Sequence, residues 1–188
     1  MVFHEEDPSD SLHLVVSGHV AVSVSAVEGG VALLNVLGPG EIFGELSLVS
    51  SSVAARSATI VCLEPVETRV ITATRFEQLR RAQPSVDRWL AEILGERVRE
   101  LSERARNLML MGLDRRVYHG LQELADLYGG AGEEPVVVPL TQEHLAEFVG
   151  GSRPTVNQVL QRLVTQGVVE LGRGRITVLD RSALRRRS

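Results

Sequence analysis

Near Thr74 the spacing of apolar residues changes from two to between three and four, and it stays so as far as Tyr128. Upstream, Leu12, Leu14 and Val16 alternate with polar residues, Ser17-Gly18 interrupts, and Val20, Val22 and Val24 resume the alternation. Glu28-Gly29-Gly30 and Gly38-Pro39-Gly40 then bracket an apolar stretch from Val31 to Val36. This spacing predicts short antiparallel strands joined by hairpins, because residues two apart share one face of a strand and Gly-rich pairs supply the turns. Ala58 to Cys62 and Thr68 to Thr72 are further strand candidates. A chain that makes its strands first and its helices afterwards is expected to be α+β, with a small β-roll or barrel in front.

Bulk composition narrows the class. With 188 residues, 44% hydrophobic and 23% charged, and no apolar run approaching 18 residues, the chain reads as a globular protein of two small domains without a membrane span. Met1 leads directly into strand-like sequence, so no signal peptide is expected and the location is expected to be cytoplasmic. One cysteine, Cys62, builds neither a disulfide framework nor an iron–sulfur site. His4, His13, His19, His119 and His144 lack metal-ligand spacing, so no metal is expected. Nothing resembles a catalytic triad or a paired-carboxylate site, and an enzyme is not expected. The net charge of −4 conceals an asymmetry: residues 1 to 113 carry ten arginines against fifteen acids, whereas residues 151 to 188 carry eight arginines against two. A basic tail behind an acidic front is the electrostatic footprint of a phosphate-binding rear domain.

Leu94, Val98, Leu101, Ala105 and Leu108 fall at steps of four, three, four and three, which is a heptad seam flanked by charges such as Glu100 and Arg104. Two readings fit the periodicity: a helix lying on its own domain, or a helix that pairs with its copy in a symmetric dimer. Gly112 followed by Asp114 suggests a break and a new N-cap. Arg115 to Tyr128 is a further helix ended by Gly129-Gly130, followed by a loop to Pro135 and a short strand to Val138. The expected division is 1–83 for the roll, 84–112 for the long helix and hinge, and 113–188 for the rear domain.

Thr141 can cap a helix that carries Leu145, Phe148 and Val149 inward, and Gly150-Gly151 stops it. Ser152 then caps a second helix, with Pro154 in the first turn where its missing N–H costs nothing, and with Val156, Val159, Leu160 and Leu163 as the buried stripe. The other face shows Arg153, Thr155, Asn157, Gln158, Gln161 and Arg162. Arginine and amide side chains near the start of such a helix can bond guanine and adenine edges in the major groove. A hairpin follows, from Val168 to Leu171 and Arg175 to Leu179, with Arg173 and Arg175 at its tip to touch phosphate. Helix, turn, helix and wing in that order point to double-stranded DNA.

With Phe43-Gly44-Glu45-Leu46 upstream and Ser152-Arg153-Pro154-Thr155-Val156 downstream, the chain resembles the cyclic-AMP receptor protein/fumarate-nitrate regulator (Crp/Fnr) family of bacterial transcription regulators over nearly its whole length. The resemblance implies a cyclic-nucleotide-binding β-roll, a dimerisation helix and a winged helix-turn-helix, with a two-fold operator, a second copy of the chain and RNA polymerase as partners. It also implies a phosphate-binding cassette of Gly44, Glu45, Leu46, Arg56 and Ser57 with cyclic AMP as effector, and a purine contact from Ser102. Backbone N–H groups near Gly44 can cradle an anion, Arg56 can neutralise it, and Glu45 can accept from a ribose hydroxyl.

Three departures qualify the expectation. The family's roll normally begins some two dozen residues earlier, so either the true start lies upstream or the roll is incomplete at its start. The adenine-contacting threonine and serine fall at Leu101 and Ser102, removing one purine hydrogen bond. The base-reading arginine, glutamate and arginine fall at Arg153, Pro154 and Gln158, so the founding member's operator sequence does not carry over. Two rival functions stay open: a ligand-independent regulator with a vestigial pocket, and a cyclic-nucleotide sensor acting on a protein partner.

Overall fold

The computed structural model describes residues 1–25, 29–49, 55–129 and 135–186, and contacts divide the chain into two compact units. Turn residues Glu28 and Gly130, read above as punctuation, lie outside the described residues.

The first unit comprises Met1–Ser25 and Leu34–Ala105. Its strands are β1 (Ser11–Ser17), β2 (Val20–Ser25), the part of β3 (Val31–Leu37) from Leu34 onward, β4 (Ile42–Phe43), β5 (Thr59–Cys62) and β6 (Glu67–Thr72), with a four-residue helix α1 (Leu46–Val49) between β4 and β5. They form two three-stranded sheets, ordered β4-β1-β6 and β3-β2-β5. Antiparallel register places His13 opposite Phe43 and Val70, and Leu14 opposite Ile42 and Arg69. Alternation then sends Val15 and Phe43 inward from one sheet to meet Val20, Leu37 and Ile60 from the other, which makes the core of the roll. Residues ahead of β1 close on β5: the Val2 N–H donates to Ile60, and Phe3 accepts from Ile60.

The outer face of the first sheet is covered by helices. Thr72 caps α2 (Ala73–Ala82) through its hydroxyl, and α3 (Ser85–Leu110) follows. Phe76 of α2 and Leu90 of α3 pack on Leu12 and Ile42, with Ile93 and Leu94 beside them. Part of the heptad pattern is therefore a helix lying on its own domain: Leu94 is spent there. Val98 (63% exposed) and Leu101 (50% exposed) are open to solvent, and Ala105 is exposed too.

The second unit is built on the residues from Arg106 onward. It contains α4 (Leu113–Gly129), β7 (Val136–Val138), α5 (Gln142–Val149), α6 (Arg153–Thr165), β8 (Val169–Gly172), β9 (Arg175–Val178) and α7 (Arg181–Arg185), its sheet ordered β7-β9-β8. Val117, Leu121, Leu124, Leu145, Phe148, Val156, Leu160 and Leu163 are buried between the helices. The cap of α4 differs from expectation. The Gly112 carbonyl accepts from Arg116 N, so Gly112 holds the cap position and Asp114 sits inside the first turn, where its charge favours the helix N-terminus. The C-terminal α7 was not foreseen; Asp180 caps it and Arg181 pairs with Asp126 of α4.

Candidate functional site

In the first unit β4 runs into Gly44-Glu45 and the chain returns through Arg56-Ser57, so the two halves of the predicted cassette share one wall. Gly44 has φ +83°, and a Cβ there would lie 2.5 Å from Arg56 Nη1 and 2.9 Å from the Ser11 carbonyl oxygen; only glycine lets the arginine come this close. Glu45 is 2% exposed, and its Oε1 accepts from Arg97 Nη1 of α3 at 2.8 Å. Arg97 also donates to the Ile42 carbonyl, which ties α3 to β4.

Arg56 is buried. Its Nη1 donates to the Ser11 carbonyl at 2.7 Å and to the Gly44 carbonyl at 3.4 Å, its Nη2 donates to the Ser11 hydroxyl at 2.9 Å, and the guanidinium lies 4.1 Å above the Phe3 ring. The ion pair the structure gives it is with Asp10, at 3.8 Å and on a side chain that is 86% exposed. Burial pushes the Arg56 pKa below its ordinary value, with Asp10 and Asp7 opposing the fall. A buried cation so weakly compensated favours an anion beside it.

Two adjoining cavities meet at Glu45, Leu46, Ser57, Ala58 and Arg97. The smaller, of about 70 Å³, is lined by Gly44 and Arg56 as well; the larger, of about 530 Å³, extends along α3 past Leu94, Val98, Leu101 and Arg104, with Leu34 and Asn35 opposite. A space of that size suits a drug-sized ligand. The polar end fits a phosphate and a ribose hydroxyl, because Arg56 supplies charge and Glu45 an acceptor.

Gly44, Glu45, Leu46, Arg56 and Ser57 all line this space. Ser102 does not: it is exposed, and its hydroxyl donates back to the Val98 carbonyl at 2.7 Å. Arg104 was expected only to flank the seam and Arg97 was not singled out, yet both line the larger cavity. The signal was available, since Arg97 and Arg104 each stand three residues after a seam leucine and so share its face.

In the second unit the Thr141 hydroxyl accepts from His144 N and the Ser152 hydroxyl from Thr155 N, so both helix starts are capped as expected. Gly150, with φ +64°, terminates α5 in the left-handed conformation and turns the chain into α6. Leu108 stands beside it, its Cδ2 2.7 Å from where a Cβ on Gly150 would sit. Arg153, Pro154, Thr155 and Gln158 are exposed on α6. Asn157 is half-buried, and its Oδ1 is enclosed without a partner among the described residues. Arg162 pairs with Asp114 of α4. The register of β8 with β9 sets Gly172 opposite Arg175, leaving Arg173-Gly174 as a two-residue tip with both arginines exposed.

Among the described residues no cluster of histidine, cysteine and carboxylates could hold a metal ion, and no helix is long and apolar enough to cross a membrane.

A β-roll with a cavity lined by Glu45 and Arg56, followed in the chain by a winged helix-turn-helix, defines a DNA-binding class of protein, and comparison with known proteins agrees. Residues 1–83 match the model of the cyclic nucleotide-binding domain, and residues 115–187 that of the Crp-like helix-turn-helix domain. The chain is similar to the CRP-like cAMP-activated global transcriptional regulator of Mycobacterium tuberculosis, 32% identical over 100% of this chain and 84% of that one. It is also similar to the cyclic AMP receptor protein of Thermus thermophilus, 34% identical over 97% and 82% of the two chains. A solved CRP/FNR-family transcriptional regulator from Thermus thermophilus superposes with a TM-score of 0.80 at 26% identity, covering 98% of this chain and 92% of that one. The chain belongs to the Crp/Fnr family of transcription regulators, with a cyclic nucleotide-binding domain and a DNA-binding helix-turn-helix.

Proposed function

We propose that the chain works as a homodimer whose hold on a two-fold operator is governed by cyclic AMP bound at Glu45, Arg56 and Ser57. The observation that carries this reading is the pairing, on one cavity wall, of an undercompensated buried Arg56 with a buried Glu45 held by Arg97. The anion end selects a phosphate, Glu45 a hydroxyl, and the larger cavity offers room for a base against Leu94, Val98 and Leu101. Arg97 couples the ligand site to α3, the helix whose solvent-exposed Val98, Leu101 and Ala105 would meet their copies across a two-fold axis. Ligand can shift such an assembly only through unequal affinity for its DNA-competent and incompetent arrangements. Arg153 is assigned to guanine, Gln158 and Asn157 to neighbouring bases, and Arg173 and Arg175 to phosphate. Thr141, Ser152, Pro154 and Thr155 fix the start of each helix toward the backbone, and Arg162 reaches DNA only by leaving Asp114. A regulator of this kind acts on RNA polymerase in the cytoplasm.

One observation favours a ligand-independent regulator instead: Arg56 already spends three hydrogen bonds on Ser11 and Gly44, as a structural arginine would. Selection of DNA from a random pool, with and without cyclic AMP, separates the two. A palindromic site recovered only with the nucleotide supports the proposal; the same site recovered equally without it supports the alternative. Absence of any selected sequence overturns both.

A further inference from the structure

We infer that Ser11 is a positioning residue of the anion site: its carbonyl and hydroxyl tether Arg56 at the cavity wall, and the same hydroxyl links that arginine to His13. The inference rests on the reading of this cavity as an anion site.

Ser11 opens β1 and is 8% exposed. It takes two of the three hydrogen bonds that Arg56 makes, at 2.7 Å and 2.9 Å, and its own hydroxyl donates to Asp10 Oδ1 at 2.9 Å. Phe3 closes the other side of the guanidinium, and Arg56 Nε is enclosed with no partner among the described residues. The arginine is thus held by one end while donor capacity is kept in reserve. A free arginine gives up rotamer entropy when a ligand fixes it, and a tethered one has given up most of that on folding. Ser11 therefore raises anion affinity without touching the anion.

The same hydroxyl faces His13. His13 Nε2 is 3.4 Å from Ser11 Oγ, and His13 Nδ1 is 3.4 Å from Thr68 Oγ1 on β6. The ring stacks on Phe43 of β4 at 4.9 Å and meets Phe3 edge-on at 5.7 Å. The charged groups that act on it are Arg56 and Asp10; β4 and β6 present Phe43, Thr68 and Val70 to it. Burial lowers the His13 pKa below 6.5, the Arg56 charge lowers it further, and Asp10 opposes them. An anion on Arg56 cancels the second cause, so His13 must bind its proton more readily in the complex. By reciprocity, anion affinity must rise as pH falls through the His13 titration.

The test uses the full chain, cyclic AMP and cyclic GMP as probes, calorimetry for affinity and nuclear magnetic resonance of the His13 ring for titration. Ser11→Ala should weaken binding about tenfold, the effect of losing a hydrogen bond to a charged group, and Ser11→Thr, which keeps the hydroxyl, should restore it. In the wild type the His13 titration should move upward on saturation with nucleotide, a measurement that needs no variant to fold. Wild-type binding with Ser11→Ala unchanged, or with His13 unmoved by ligand, overturns the inference and leaves the anion site standing. A wild-type chain that binds neither nucleotide overturns the anion-site reading as well.

Discussion

Arg97 Nη1 donates to Glu45 Oε1 across 2.8 Å, joining residues 52 apart in sequence, and the carboxylate it meets is 2% exposed. Removing one partner of a buried pair strands the other, which typically costs about 3–5 kcal/mol, more than the intact pair contributes. Arg97→Ala should therefore destabilise the β-roll by about 3 kcal/mol and abolish nucleotide binding. Glu45→Gln keeps the shape and a hydrogen-bond acceptor, and should cost less stability than Arg97→Ala while still weakening binding at least tenfold. Urea unfolding followed by calorimetry on both variants checks the order.

Val98 is 63% exposed on the middle of α3, so a charge there leaves the fold of one chain intact. At a two-fold axis the same charge meets its copy and desolvates both. Val98→Asp should sediment as a monomer at micromolar concentration with an unchanged far-ultraviolet circular dichroism spectrum, and should lose operator binding. A dimer of wild-type stability would place the self-contact elsewhere.

What could be read without coordinates was whatever is local. Ser152 and Thr141 are recognisable caps because the motif spans four residues, whereas Gly44-Glu45 with Arg56-Ser57 stood out only through the Crp/Fnr resemblance. Arg97 escaped notice because its partner lies 52 residues away and its helix face already had an explanation in the seam. The seam itself hid two environments under one period: Leu94 packs on the core of its own roll, while Val98 and Leu101 do not. Periodicity reports that a face is apolar, not what covers it. Asn157 shows the same limit, since it adjoins Val156 and Leu160 and its amide oxygen is enclosed, whereas Gln158, one residue on, is exposed. β4, at two residues, was too short to show alternation.

Glu41 carries a pH signature that is independent of ligand. Burial raises its pKa above 4.5, the Glu100 charge adds to this, and the hydrogen bond from Gly38 N at 2.7 Å, with Arg97 and His19, opposes it. A carboxyl whose folded pKa is raised binds more protons folded than unfolded, so its contribution to stability is greatest at acid pH and is lost as pH rises from 4.5 through the folded value. Glu41→Gln mimics the protonated side chain and removes this loss. The urea midpoint of Glu41→Gln should exceed wild type at pH 7 and match it near pH 4; equal midpoints at both would show that Glu41 titrates normally.

The two classes of arginine in the second unit should fail differently. Arg153 is exposed at the first position of α6, where a bidentate bond to guanine O6 and N7 is worth about 1–3 kcal/mol of discrimination against other bases. Arg173 stands at the tip of the β8–β9 turn, where contact with a phosphate adds affinity without sequence information. Arg153→Ala should weaken operator binding by about tenfold to a hundredfold while leaving random-sequence binding nearly unchanged, so the ratio between them falls. Arg173→Ala should weaken operator and random DNA alike and reduce the slope of log affinity against log salt by about one per subunit. Titrations on both DNAs between low and moderate salt distinguish the cases. If Arg173→Ala instead altered the operator-to-random ratio with the salt slope intact, the wing would be reading bases, and α6 would not be the sole source of specificity.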